Sequence, residues 1–96
     1  MIKEFEKNLK IMLELTKAKN HDYAKGDDPY KNFRLVEQLG ICSVETGILV
    51  RMCDKMSRIA NLIDTDAKVK DESIADTLID MANYANLMKC YREEKK

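Results

Sequence analysis

The sequence is short of the residues that interrupt helices and of those that fill large cores. Among 96 residues there are three glycines, one proline and no tryptophan, and the aromatic residues are four tyrosines and two phenylalanines. With so few turn residues, the chain shows neither a strand pattern nor an internal repeat. A chain of this length forms one domain with a thin core. We therefore predict a single all-α domain over residues 1–96.

The sequence also lacks an excess of charge, a long apolar run and paired cysteines. Seventeen basic and 17 acidic residues give a formal net charge of zero, so no global field directs the chain to duplex nucleic acid or to an anionic membrane. No apolar run approaches the roughly 20 residues of a membrane span, and the charged N-terminus is unlike a signal peptide. The three cysteines have no C-x-x-C spacing. We expect reduced thiols in a cytoplasmic protein.

Charged and apolar residues are abundant, and they alternate at helical spacing. Charged residues make up 35% of the chain and hydrophobic residues 45%. This balance favours a helical protein with one apolar stripe on each helix. We expect an antiparallel four-helix bundle-like domain with one short helix and a long loop between helices one and two. The predicted helices span about residues 2–18, 29–39, 44–63 and 72–92.

Capping residues mark most of the predicted helix ends. Asp28 precedes Pro29, an arrangement that suits the start of the second helix, and Gly40 can end that helix in a left-handed conformation. Ser43 and Asp71 stand where the third and fourth helices are expected to begin. The predicted core stripes are Ile2, Phe5, Leu9, Met12, Leu13 and Thr16; Ile48, Leu49, Met52, Met56, Ile59, Ala60 and Ile63; and Ile74, Leu78, Met81, Ala85 and Met88.

The segment between the first two helices, residues 19–33, is unusually rich in side chains for a connector. His21 is the only histidine and stands beside Asp22. No serine or cysteine lies in a recognisable nucleophile motif, so we interpret His21 as an exposed residue without a catalytic role. Three aromatic residues either anchor the segment to the bundle or stack on a base or ribose. They are Tyr23, Tyr30 and Phe33.

The third helix carries a second, polar stripe. Three cations beside one carboxylate leave local positive charge, and arginines one turn apart can grip a phosphate with paired donors. A glycine at the head of the stripe would allow another chain or a ligand to approach closely. The alternative is a solvated face on which the aspartate pairs with both arginines. The stripe consists of Gly47, Arg51, Asp54, Arg58 and Asn61, with Lys55 at its edge.

The fourth helix carries an acidic stripe. Glu72, Asp76 and Asp80 are spaced one turn apart, and Asn83 continues the line. Stacked carboxylates repel each other unless something relieves them. A Mg²⁺ ion held by Asp76 and Asp80 would do so, and so would the arginines of helix three. The remaining alternative is a solvated acidic face near the N-terminus of the helix.

Four blocks of the sequence together resemble a known family. They are KNHDY (residues 19–23), DPYKNF (28–33), GILVRMCDKMSRIANL (47–62) and VKDESIADTLIDMANYANL (69–87). The chain resembles the first of the nucleotide modification associated domains, small all-α proteins common in phages and their hosts. The resemblance implies a link to modified nucleotides, but it supplies no reaction, so binding with and without turnover both stay open.

A more distant similarity is to the MazG-type all-α nucleotide pyrophosphohydrolases. Those enzymes hold Mg²⁺ against a triphosphate with carboxylates on two successive helices. This chain has acids on helix four, but Asp54, Lys55 and Arg58 stand where the similarity requires acids on helix three. A cage of several Mg²⁺ ions needs more anionic oxygens than Asp54 provides. The similarity therefore supports the fold and a nucleotide-type ligand more than it supports hydrolysis.

We expect a nucleotide-binding protein linked to phage or bacterial nucleotide metabolism or modification, located in the host cytoplasm if phage-encoded. One alternative is a non-enzymatic phage sponge that sequesters a nucleotide or cyclic nucleotide messenger of host defence. The others are a Mg²⁺-dependent pyrophosphohydrolase and a helical interaction module. A thin core also predicts a homo-oligomer. The predicted ligand-binding residues are Lys19, Asp22, Tyr23, Asn32, Phe33, Arg51, Lys55 and Arg58, with Asp76 and Asp80 as possible Mg²⁺ ligands.

Overall fold

The structure is a computed structural model that describes the backbone of residues 1–23, 28–64 and 67–95 and the side chains of residues 1–18, 28–64 and 74–95. Within these ranges the chain is all-α and has no strand, as the sequence predicts. None of the described helices is both long and apolar enough to cross a membrane. The helices are α1 (Ile2–Tyr23), α2 (Lys31–Gln38), α3 (Val44–Leu62) and α4 (Ala67–Glu94).

Helix α1 is longer than the sequence predicts. It continues past Ala18 to Tyr23, so the KNHDY block is helical rather than part of the loop. The apolar periodicity fades after Thr16, but no glycine or proline stands before Gly26 to end the helix. The predicted boundary was therefore wrong by five residues. The connection to α2 covers residues 24–30.

The short helix α2 begins two residues later than predicted, at Lys31 rather than Pro29. Asp28 is not the N-cap of α2, because Tyr30 occupies that position and its side chain makes no capping hydrogen bond. Instead its Oδ1 accepts a hydrogen bond from the backbone N–H of Tyr30 at 2.9 Å, and its Oδ2 accepts one from Nε of Arg34 at 2.7 Å. Asp28 thus fixes the turn that leads into α2 and ties it to the helix.

Gly40 ends α2 as predicted. Its φ is +76°, a left-handed conformation that glycine adopts without steric cost. The N–H of Gly40 bonds to the carbonyl of Glu37 at 3.0 Å, and the N–H of Ile41 bonds to the carbonyl of Val36 at 3.1 Å. This pair of bonds is the Schellman motif, which satisfies two carbonyls that the end of the helix would leave open.

The start of α3 agrees with the prediction, and its end, at Leu62, differs by one residue. Ser43 Oγ accepts the backbone N–H of Thr46 at 3.1 Å, which is the expected N-cap bond. A second cap comes from α2, because Oε2 of Glu37 accepts the N–H of Val44 at 3.2 Å. The carboxylate also lies at the positive end of the α3 dipole. Two side chains therefore define where α3 begins.

Helix α4 starts earlier than predicted, at Ala67 rather than Glu72. Asp71 consequently lies inside the helix and is not its cap. The connector predicted over residues 64–70 is shortened, because nothing in Ala67–Lys70 disfavours a helix. The side chains of Asp71 and Glu72 lie outside the described residues.

The chain divides into two compact units, Met1–Gly47 and Ile48–Lys96. The prediction of a single domain stays a prediction. In the second unit, α3 and α4 run antiparallel, since Arg51 contacts Tyr84 and Lys55 contacts Asp80. Moving four residues forward on α3 moves the partner four residues back on α4, which is the pattern of an antiparallel helical hairpin.

Few of the described side chains are fully buried. Val44 and Ile48 at the start of α3 are completely covered, and Tyr30, Thr77 and Tyr91 are nearly so. Many residues of the predicted core stripes are instead more than one-third exposed within the isolated chain. The large hydrophobic residues among them are Ile2, Phe5, Leu9 and Leu13 of α1, Leu49 and Met56 of α3, Ile63 just beyond it, and Leu78 of α4.

Candidate functional site

The antiparallel hairpin of α3 and α4 brings two predicted ligand-binding residues into a regular arrangement. Arg51 and Lys55 lie one turn apart on α3, and each meets a side chain of α4, where Tyr84 and Asp80 also lie one turn apart. We call these four residues the α3–α4 ladder. In it, an aspartate and a tyrosine four positions apart on α4 lie opposite two cations four positions apart on α3.

The upper rung of the ladder joins Arg51 to Tyr84. The Arg51 guanidinium donates a hydrogen bond to the Tyr84 side chain, and this bond is the main reason that the pKa of Arg51 is raised above its usual value. Cζ of Arg51 lies 5.9 Å from the centre of the Tyr84 ring, near the outer limit of a cation–π contact. The guanidinium therefore contacts Tyr84 through this bond and near its ring. Arg51 remains 49% exposed, so it is held and yet open to solvent.

The lower rung joins Lys55 to Asp80. Nζ of Lys55 lies 3.4 Å from Oδ2 of Asp80, and the two side chains are only 20% and 24% exposed. An ion pair this shielded is weakened less by salt than a surface pair. Lys55 therefore already pairs with Asp80, and a ligand anion that approached Lys55 would compete with that carboxylate.

Asp54 and Arg58 complete the polar stripe of α3. Oδ2 of Asp54 lies 3.6 Å from Nη1 of Arg51, with both side chains about half exposed, so one of the pairings predicted for a solvated face is present. Arg58 is exposed, and the ladder register places it level with the buried Thr77. Arg51 and Lys55 thus each lie beside one carboxylate, that of Asp54 and that of Asp80.

The acidic stripe of α4 is relieved at Asp80 by the ion pair with Lys55. Asp76 is exposed. Among the side chains that the structure describes, no group of three or more histidine, cysteine, aspartate or glutamate residues gathers as metal ligands would. Glu72, the third acid of the stripe, lies outside them. Mg²⁺ binding by Asp76 and Asp80 stays a prediction.

Two other predicted ligand-binding residues lie in the first unit. Asn32 is exposed on α2, and Phe33 is half-buried. The ring of Phe33 packs against Gly47, where a methyl group added to the glycine would lie 3.1 Å from Cδ1 of Phe33. The close approach predicted at Gly47 is therefore made by a residue of the same chain. Tyr30, 2% exposed, anchors the segment before α2.

The remaining predicted ligand-binding residues are Lys19, Asp22 and Tyr23. All three belong to the last turns of α1, so their backbone is helical rather than part of a loop. Their side chains lie outside the described residues, as does that of His21. Their roles stay predictions.

Sequence reasoning missed two residues that shape these sites. Tyr84 lies within a motif block but was assigned no role, although its spacing from Asp80 matches that of Arg51 from Lys55. Arg34 was not singled out, yet it bonds Asp28 and its Cζ lies 5.4 Å from the centre of the Tyr30 ring. Pairing the stripes in an antiparallel register would have found Tyr84.

Comparison with known proteins identifies the family. A family model described as nucleotide modification associated domain 1 matches residues 19–89, which include α2, α3 and most of α4. The chain belongs to this family. No curated protein and no solved structure matches the chain, and the similarity to MazG-type enzymes is not confirmed. The family match covers all four ladder residues and leaves most of α1 outside it.

Proposed function

We propose that this nucleotide modification associated domain binds the phosphate group of a nucleotide at the α3–α4 ladder. Arg51 is the principal phosphate ligand, and Arg58 supplies further positive charge from the next turns of α3. Lys55 and Asp80 form the less exposed part of the site, since their side chains are largely shielded from solvent. The family description, which concerns nucleotide modification, supports a nucleotide over other phosphate compounds.

The observation that carries the proposal is the restraint on Arg51. An exposed arginine normally loses side-chain freedom when it binds an anion, and this loss opposes binding. Here the hydrogen bond to Tyr84 already fixes the guanidinium, while about half of the side chain stays accessible. The weak contact with Asp54, at 3.6 Å, is one that a doubly charged phosphate would displace.

We propose binding of the nucleotide, and measurement must decide whether the protein also hydrolyses it. A metal-dependent hydrolase would need several carboxylates to hold Mg²⁺ beside the phosphate chain, and Asp80 is engaged with Lys55. Phosphate recognition by arginine and lysine requires no metal. We therefore expect stoichiometric binding that does not depend on Mg²⁺.

Isothermal titration with pyrophosphate, nucleoside mono-, di- and triphosphates and cyclic nucleotides, with and without Mg²⁺, tests the proposal. Arg51→Ala should weaken binding of any hit at least about tenfold, since charge-assisted hydrogen bonds contribute roughly 1.5–3 kcal/mol. Arg92→Ala, which removes an exposed arginine near the end of α4, is the matched control and should bind normally.

Anion-exchange analysis of each ligand after incubation separates the remaining functions. Unchanged ligand at saturating protein supports a binding protein, including a sponge for a messenger nucleotide. Mg²⁺-dependent release of pyrophosphate would instead favour the pyrophosphohydrolase. If no phosphate compound binds, or if Arg51→Ala and Arg92→Ala behave alike, the ladder is not a phosphate site.

A further inference from the structure

Helix α1 carries an apolar face whose side chains are at least half exposed. The exposed fractions are 61% for Ile2, 56% for Phe5, 50% for Leu9 and 53% for Leu13. At 100° per residue these side chains share a sector of about 80° on the helix. We call them the α1 apolar face. Scattered apolar residues on a surface need no explanation, but a continuous patch of this kind marks an interaction site.

The spacing along α1 indicates what kind of surface would cover the face. Apolar residues at positions 2, 5, 9 and 12, followed by Thr16, alternate at intervals of three and four. This is the seam of a helix that packs lengthwise against another helix. No glycine or proline interrupts α1, so the seam is straight over four turns. The occupant is therefore a second helix with a comparable seam.

We propose that the α1 apolar face pairs with the same face of a second copy of this chain, with the two α1 helices antiparallel. The proposal rests on residues 2–17 alone and does not depend on the proposed nucleotide site. Every copy presents this seam, so a two-fold axis near Leu9 brings two identical faces together.

The available area is sufficient for such a pair. About half of four large side chains amounts to roughly 400 Å² of apolar surface for each copy, which is as large as the main patch of a typical monomer. Two copies would remove about twice this area from water. The alkyl stems of flanking lysines and glutamates bring the total close to the ~1,200 Å² at which specific interfaces begin.

Charges beside the face favour a second copy and fix its direction. Glu6, Lys10 and Lys17 lie along one edge of the face, with the acid toward the N-terminus and the bases toward the C-terminus. In an antiparallel pair centred near Leu9, Glu6 of one copy falls between Lys10 and Lys17 of the other, and symmetry repeats the contact. In a parallel pair this edge would instead face the opposite edge of the partner, which over residues 2–17 carries Asn8 and Met12 and no charged residue.

Sedimentation equilibrium of the full chain, from low micromolar to millimolar concentration, tests the pairing. The unmodified chain should dimerise, and Leu9→Asp should weaken association at least about 100-fold because it places a charge in the centre of the seam. Circular dichroism checks that the variant keeps its helix content. A monomer throughout the range, or a Leu9→Asp variant that keeps helix content and dimerises normally, would overturn the proposal.

Charge exchange tests the direction without disturbing the seam. Glu6→Lys should weaken dimerisation about fivefold, since exposed ion pairs contribute about 0.2–1 kcal/mol each. Glu4→Lys, about 160° from Glu6 around α1, makes the same change in charge and should leave dimerisation unchanged. The double variant Lys10→Glu/Lys17→Glu should also associate weakly alone, yet pair well with Glu6→Lys when the two are mixed. Failure of this rescue would overturn the antiparallel arrangement.

Discussion

Tyr84 of α4 accepts a hydrogen bond from Arg51 of α3, and this contact restrains an arginine whose side chain is half exposed. An exposed arginine on a helix usually samples many rotamers, because its long side chain has little to hold it. The carboxylate of Asp54 lies 3.6 Å from the same guanidinium, in a contact that a phosphate can replace. This combination suits a residue that must meet an anion.

The first prediction concerns this contact. Tyr84→Phe keeps the ring but removes the hydroxyl, and it should lower the free energy of unfolding by about 0.5–1.5 kcal/mol. Arg51→Ala should have an effect of similar size, and the two changes should not add, because each removes the same bond. Urea denaturation of the two single variants and the double variant measures this coupling. Additive effects would mean that the residues act independently.

The second prediction concerns the pair of Lys55 and Asp80. Asp80→Ala leaves a shielded ammonium without its carboxylate and should lower the free energy of unfolding by about 1–2 kcal/mol. Lys89→Ala breaks an ion pair of 2.9 Å whose side chains are 72% and 53% exposed, so it should cost less than about 0.5 kcal/mol.

Urea denaturation compares these two variants under the same conditions. The exposed Lys89 pair serves as the control for removing one lysine–carboxylate contact from the second unit. Equal losses from both variants would contradict the idea that shielding of the Lys55 pair determines its contribution.

The third prediction concerns Gly47 and Phe33. Gly47→Ala gains about 1 kcal/mol of helix propensity, but the new methyl group would stand 3.1 Å from Cδ1 of Phe33 and offset part of that gain. In a Phe33→Leu background the same change should stabilise the protein by nearly the whole amount. Thermal denaturation of the unmodified chain, the two single variants and the double variant measures the difference. An identical gain in both backgrounds would rule out the close packing of Phe33 on Gly47.

The fourth prediction concerns the end of α2. Gly40→Ala should destabilise the protein by about 1 kcal/mol, because alanine adopts a φ of +76° only at a cost. Nothing lies within 4 Å of the added methyl group, so a steric clash does not contribute. Gly40→Asn is the matched control, since asparagine tolerates this conformation better. Thermal melts should rank the glycine form above the asparagine variant and the asparagine variant above the alanine variant. An alanine variant as stable as the glycine form would contradict the role of φ.

The sequence predicted best what local chemistry determines. Ser43 located the start of α3 and Gly40 the end of α2, because each acts through bonds within a few residues of itself. The predicted start of α4 was wrong because Asp71 is of a residue type that often caps helices but lies within a stretch that is already helical. Capping residues indicate where a helix can begin, not that it must.

The site was only partly predictable for a different reason. The basic stripe of α3 and the acidic stripe of α4 were evident from periodicity, but periodicity does not say which residue faces which. That depends on the register of the hairpin, which joins Lys55 to Asp80 and Arg51 to Tyr84. The burial of the predicted core stripes was overestimated for the same reason. An apolar stripe identifies the face of a helix that can be buried, but it does not identify what covers that face.

The two rungs of the ladder also constrain how this family can vary. A change at position 51 alters the environment of position 84, and a change at position 55 alters that of position 80. The two members of each pair lie on different helices and are far apart in the sequence. Among family members, an acid at position 55 should therefore accompany a base at position 80. Substitution at the ladder would proceed in pairs, whereas the exposed Lys89 and Glu93 would drift independently.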